Sequence, residues 1–178
     1  MKKLVIVGML IAALFGVVFA FMGTSGADTE KSAYLRVHIR ANSNSEEDQA
    51  VKYKVRDAVV EFLTPVVAEC GRKDEAISAI TKKLPEAEKV AERVLEENGY
   101  NYGARASIRK EEFPTRVYES VTLEAGVYDA LILELGTGTG DNWWCVVYPP
   151  LCFTSGNGNI IYKSKIAEIV RKFFADHE

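Results

Sequence analysis

Residues that hold metals are scarce in this sequence. It has two histidines, His38 and His177, and three cysteines, Cys70, Cys145 and Cys152, with no C-x-x-C pair. A four-ligand zinc centre needs a compact set of such side chains, so no metal and no cofactor is expected. No G-x-S-x-G marks a nucleophile. Positive charge is not in excess: 22 Lys and Arg face 25 Asp and Glu, for a net charge of −3. Nucleic-acid binding by phosphate neutralisation needs the opposite balance. No repeat or low-complexity tract is present. The "GTGTG" of Gly136–Gly140 lacks what a phosphate cradle requires, because Asp141 and a strand-like "NWW" follow where a helix N-terminus should stand. A glycine turn between two strands is the expectation.

Charge is also missing from Leu4 to Met22, after Lys2 and Lys3. That is the layout of an export signal, nearly long enough to span a bilayer. Two outcomes compete. Cleavage follows Ala27, with Ser25 and Ala27 as the small residues of the site, or the helix stays as an anchor. Either way the remainder lies outside the cytoplasm, and the membrane is met only through this segment. Residues 28–33 then form a linker, and 34–178 a single exported domain. Loss of the two lysines takes the formal charge to −5.

Within that domain "YLRVHIRAN" alternates: Leu35, Val37 and Ile39 on one face, Arg36, His38 and Arg40 on the other. It predicts a half-buried strand with a solvated polar face. Ser45, with Asp48 three residues on, opens a helix whose apolar stripe is Val51, Val55, Ala58, Val59, Phe62 and Val66. A second helix is predicted over Asp74–Lys83, and a third from Pro85 to a stop at Gly99. Period-two patterns follow at Ala104–Phe113, Val117–Leu123, Tyr128–Leu135 and Trp143–Tyr148. A last helix starts with Ser164 as cap. The sum is an α+β domain: an antiparallel sheet of about five strands with helices packed on it.

Cys145 and Cys152 flank Pro149-Pro150, and exported cysteines tend to pair. A disulfide between them, or two buried thiols, satisfies the pattern. Trp143 and Trp144 point to opposite faces of a strand, as core residues or as contacts for a partner. His38 is either a polar-face residue or the base of a hydrolase working with a nearby acid. Arg36, His38, Arg40, Asn42, Asp48, Lys52 and Arg56 form a candidate partner-binding patch, with a merely solvated polar face as the alternative.

"LRVHIRANSNSEEDQAVKYKVRDAV" and, far downstream, "GDNWWCVVYPPLCF" resemble the stage II sporulation protein R family. Two positions depart from its pattern: Arg40 stands for an aliphatic residue and Asn44 for an aspartate. The resemblance implies a protein made in the forespore and exported into the space between the two membranes. There it would activate stage II sporulation protein GA, the membrane-embedded aspartic protease of the mother cell that processes the precursor of sigma-E. It implies no catalytic residue. A passive wall-binding or adhesion module is the remaining class.

Overall fold

The computed structural model describes residues 33–118, 121–151 and 160–176, with the backbone alone for 160–166. The apolar run 4–22, Cys152 and His177 lie outside the described residues. The chain divides into two units, Met1–Ala33 and Tyr34–Glu178. The second holds, in order along the chain, β1 (Leu35–Arg40), α1 (Glu46–Ala68), α2 (Lys73–Glu97), β2 (Ala104–Phe113), β3 (Arg116–Tyr118), β4 (Val121–Leu123), β5 (Gly126–Leu135), β6 (Asn142–Tyr148) and α3 (Ile160–Ala175).

The class is α+β, but the sheet is mixed. Its four strands run β2-β5-β1-β6, and β3 pairs with β4 in a separate ribbon. β1 lies parallel to β5 and antiparallel to β6. The expectation of an all-antiparallel sheet assumed that sequence neighbours pair. Instead the first strand is inserted between two late ones. That position buries both of its faces, and Arg36 and His38 are only 0% and 3% exposed. The solvated polar face expected there does not exist.

Insertion of β1 also explains the glycine run. The connection from β5 to β6 must arch over the C-terminal end of β1, where the chain leaves through residues 41–45. The turn between two strands is therefore present, with Gly136 and Gly138 at positive φ, 58° and 63°. Such backbone favours glycine.

The helices cover one sheet face. Leu35, Val37 and Ile39 of β1, Leu131, Leu133 and Leu135 of β5, and Cys145 and Val147 of β6 pack with Val51, Val55, Val59, Leu63 and Val67 of α1. Burying each such side chain contributes roughly 1.5–3 kcal/mol. Ser45 caps α1, its hydroxyl accepting from the Asp48 amide at 3.1 Å.

The two helices expected around Pro85 are one. Ala76, Ile80, Ala87, Ala91 and Leu95 form an unbroken buried stripe, with Leu84 packed beside it. Pro85 sits on the exposed side, where water can take the carbonyl it leaves unbonded. Packing of the stripe outweighs the break. Gly99, at φ 82°, ends the helix as expected, with Tyr100 N–H donating to Leu95 and Gly99 N–H to Glu96. Ser164 lies inside α3, which begins at Ile160.

Candidate functional site

The polar residues singled out in the sequence do not form one patch. They divide into three groups.

The first is a lock under the glycine arch. The Asn42 side-chain oxygen accepts from the Thr137 amide at 3.0 Å, and its carbonyl accepts from the Thr137 and Thr139 hydroxyls at 2.7 and 2.9 Å. Asp141 N–H donates to Asn44 at 2.5 Å, and Gly140 N–H to Ala41 at 2.9 Å. Asp48, buried below, accepts from Asn42 (2.9 Å), Ser43 (2.5 Å) and Tyr102 (2.6 Å). Burial alone would raise its pKa, but the hydrogen bonds from Ser43, Tyr102 and Asn42 outweigh that and hold it below the usual carboxylate value. Lys52 is buried too, donating to Gln49 at 2.6 Å and to the Asp141 carbonyl at 3.1 Å. Burial lowers its pKa, against the pull of Asp141. Ala41, Asn44 and Lys52 thus tie the two distinctive sequence blocks to each other, and Asn42 ties the first to Thr137 and Thr139 just before the second.

The second group is small and lies on the helical side. The Arg56 guanidinium sits 5.5 Å from the Trp143 ring and 5.0 Å from that of Tyr53, and it pairs with Asp57 at 2.7 Å. Tyr53 is exposed, so this is surface.

The third group occupies the sheet face away from the helices. The ribbon β3–β4 leaves the β2–β5 pair and folds over Arg36, His38 and Trp144. Its inward residues are Arg116, Tyr118 and Leu123; Val117 and Thr122 face out. Arg116 lies 4.4 Å from the Trp144 ring. Trp144 stacks on His38 at 5.4 Å, and Phe113 meets His38 edge-on at 5.8 Å. The His38 Nδ1 lies 2.8 Å from Glu111 Oε1. Glu111 also accepts from Arg40 and Arg109, and Glu134 accepts from the same two arginines at 2.9 and 3.1 Å. Burial lowers the His38 pKa more than Asn142 and Glu111 raise it, which favours the neutral ring. Burial likewise works to raise Glu111, but Arg40 and His38 overcome it and keep that carboxylate low.

Arg36 is different. Its guanidinium lies 4.2 Å from the Phe113 ring, 4.9 Å from Tyr128 and 5.7 Å from Tyr118. One Nη2 hydrogen bond goes to the Tyr118 hydroxyl at 2.7 Å. Nε and Nη1 have no partner, and neither has His38 Nε2. Cation–π contacts give roughly 0.5–2 kcal/mol each. An ion taken out of water costs several kcal/mol, and unmet donors add about 1–3 kcal/mol each. The rings reduce that cost without replacing a carboxylate.

Glu111, Glu134, Arg109, Arg116, Phe113, Tyr118 and Tyr128 were not anticipated. The signal was present in β2, where Arg105, Ser107, Arg109, Glu111 and Phe113 alternate with Ile108 and its neighbours. It could not say which strand would lie opposite. Cys70 is a buried thiol donating to the Val66 carbonyl at 3.3 Å. Among the described residues no group of His, Cys, Asp and Glu is placed to hold a metal, and no helix is long and apolar enough to cross a membrane.

Fold and polar clusters together define a small α+β domain with a glycine-arch lock at one end and a covered, arginine-rich sheet face. The family model of stage II sporulation protein R matches residues 31–157. The chain is 38% identical over 139 residues to stage II sporulation protein R of Bacillus subtilis (strain 168), covering 78% of this chain and 62% of that protein. The chain belongs to the stage II sporulation protein R family. It spans less than two thirds of that relative's length. No solved structure matches it.

Proposed function

We propose that this chain is an exported signalling protein of endospore formation. It passes from the forespore into the space between the two membranes and activates the membrane-embedded aspartic protease of the mother cell that processes the sigma-E precursor. Membership of the sporulation family is the observation that carries the reading. The uncharged run Leu4–Met22 behind Lys2 and Lys3 supports the export step.

The test is a reconstituted cell that expresses the protease and its substrate. Processing is expected with the full chain and not without it. A chain lacking Leu4–Met22 should fold and leave the precursor uncut, because the domain stays where it was made. Processing by that truncated chain would overturn the export step. Processing without the chain would overturn the signalling role.

Pairing of Cys145 with Cys152 belongs to the same proposal, since an oxidising compartment preserves disulfides. A bridge closing so short a loop adds roughly 2–3 kcal/mol. Peptide mapping of the exported protein without reductant should return the two cysteines in one linked fragment. Two free thiols would remove the bridge.

A hydrolase is the second reading, and the His38–Glu111 contact is what favours it. An imidazole held by a carboxylate at Nδ1 is how a general base is oriented. For that role Nε2 must reach a nucleophile or a water, and here it is buried under Trp144 and the ribbon. Turnover of small ester or peptide substrates by purified full chain, lost in His38→Gln, would establish it.

A further inference from the structure

We propose that the face beneath β3–β4 is a closed carboxylate-binding site, in which Arg36 takes an Asp or Glu side chain of a partner polypeptide once the ribbon lifts. The proposal does not depend on which protein the receptor is.

Arg36 is fully buried, and two of its three nitrogens have no partner. Arginine does not shed its proton, so the charge persists when the site is closed. Three other arginines on this face have partners among the described residues. Arg40 and Arg109 share Glu111 and Glu134, and Arg116 lies on Trp144. Of the four, Arg36 alone is fully buried, with aromatic rings and a phenol around it. His38, two residues along the same face of β1, presents a second buried unpartnered ring nitrogen.

One unpaired guanidinium calls for one negative charge. A carboxylate matches its planar fork and neutralises it. A phosphate dianion would bring excess charge into the same apolar box, where burial penalises it.

The cover is built to move as a piece. β3 and β4 have three residues each and pair only with each other, and a two-stranded ribbon is marginal by itself. It is held down by the Arg36–Tyr118 hydrogen bond, by Arg116 on Trp144 and by buried Leu123. Its base is clamped apart from these contacts, by Thr115 bonded to Glu124 and Ala125 and by Tyr128 bonded to the Glu124 carbonyl. Lifting β3–β4 uncovers Tyr118, Leu123 and Trp144. A free small acid offers nothing to cover them. A polypeptide does, and it also finds Val117 and Val127 exposed alongside, at 68% and 59%.

The test is selection from a displayed random peptide library on the purified full chain, in physiological salt. Asp- and Glu-containing members should be enriched at least tenfold over their Asn and Gln counterparts. Arg36→Met should lose that enrichment while melting no lower than the wild type, since an apolar side chain fits among the rings without an unpaired charge. Tyr118→Phe, which removes the one hydrogen bond holding the ribbon to Arg36, should raise acidic-peptide binding several-fold and keeps the test decisive if Arg36→Met fails to fold. No preference for acidic members would overturn the proposal. So would enrichment that survives Arg36→Met, or binding unchanged or weakened in Tyr118→Phe. Competition by acetate at concentrations equal to the peptide would show that a free acid suffices and overturn the polypeptide source.

Discussion

Gly140→Ala is expected to melt at least roughly 10 °C below the wild type, or not to fold. Gly140 is buried where the glycine arch crosses the chain leaving β1. A β-carbon there would collide with the Ser43 carbonyl group, and would sit 3.0 Å from the Ala41 side chain. The obstacle is backbone, which cannot rotate away as a side-chain end can. Overpacking costs about 1–3 kcal/mol when side chains can adjust, and more when they cannot. In a domain of this size each kcal/mol moves the melting temperature by roughly 2–4 °C. Gly71→Ala is the control, because its added carbon would meet only the Glu75 carboxylate, at an ordinary 3.6 Å. It should stay within about 0.5 kcal/mol of wild type. Equal melting of the two variants would show that the arch does not rest on Ser43.

Asp48→Ala is expected to cost about 3–5 kcal/mol, measured by urea unfolding. The change removes the common acceptor of Asn42, Ser43 and Tyr102 and the carboxylate near the start of α1. A loss below about 1 kcal/mol would mean that water replaces these bonds freely. The same group sets an acid limit. Its pKa is lowered in the folded state, so its contribution is complete above the ordinary carboxylate pKa and disappears as pH falls through the folded value. His38 acts earlier in the same direction. Its folded pKa lies below 6.5, so its stabilising share is complete above 6.5 and is lost as pH falls from there through the folded value. Stability should therefore decline in two stages on acidification. Asp48→Asn should flatten the lower stage and leave the upper one. An unchanged lower stage in Asp48→Asn would assign it to another carboxylate.

Local features were legible in the sequence because local physics decides them. The Ser45 cap, the stop at Gly99, the glycine turn before Trp143 and the span of β2 each depend on a few adjacent residues, and each is where the pattern put it. The family, too, was carried by two blocks of contiguous residues. Pro85 shows the limit of such reading. A local break signal lost to a buried stripe that runs from Ala76 to Leu95, because packing against α1 and the sheet acts over the whole helix.

What the tertiary structure alone decided was the place of β1. Alternation along "LRVHIR" states that its two faces differ, and is silent on what covers each. A strand at an edge would have left Arg36 and His38 in water. Inserted between β5 and β6, and roofed by β3–β4, the same residues become a buried guanidinium among rings and a buried imidazole on a glutamate. Glu111 lies 73 residues along the chain from His38, and Tyr118 lies 82 from Arg36, so no local spacing records either pair. For the same reason the sequence could name Asn42, Asp48 and Trp144 as chemically distinctive, but only the fold separates the residues of the arch lock from those of the covered face.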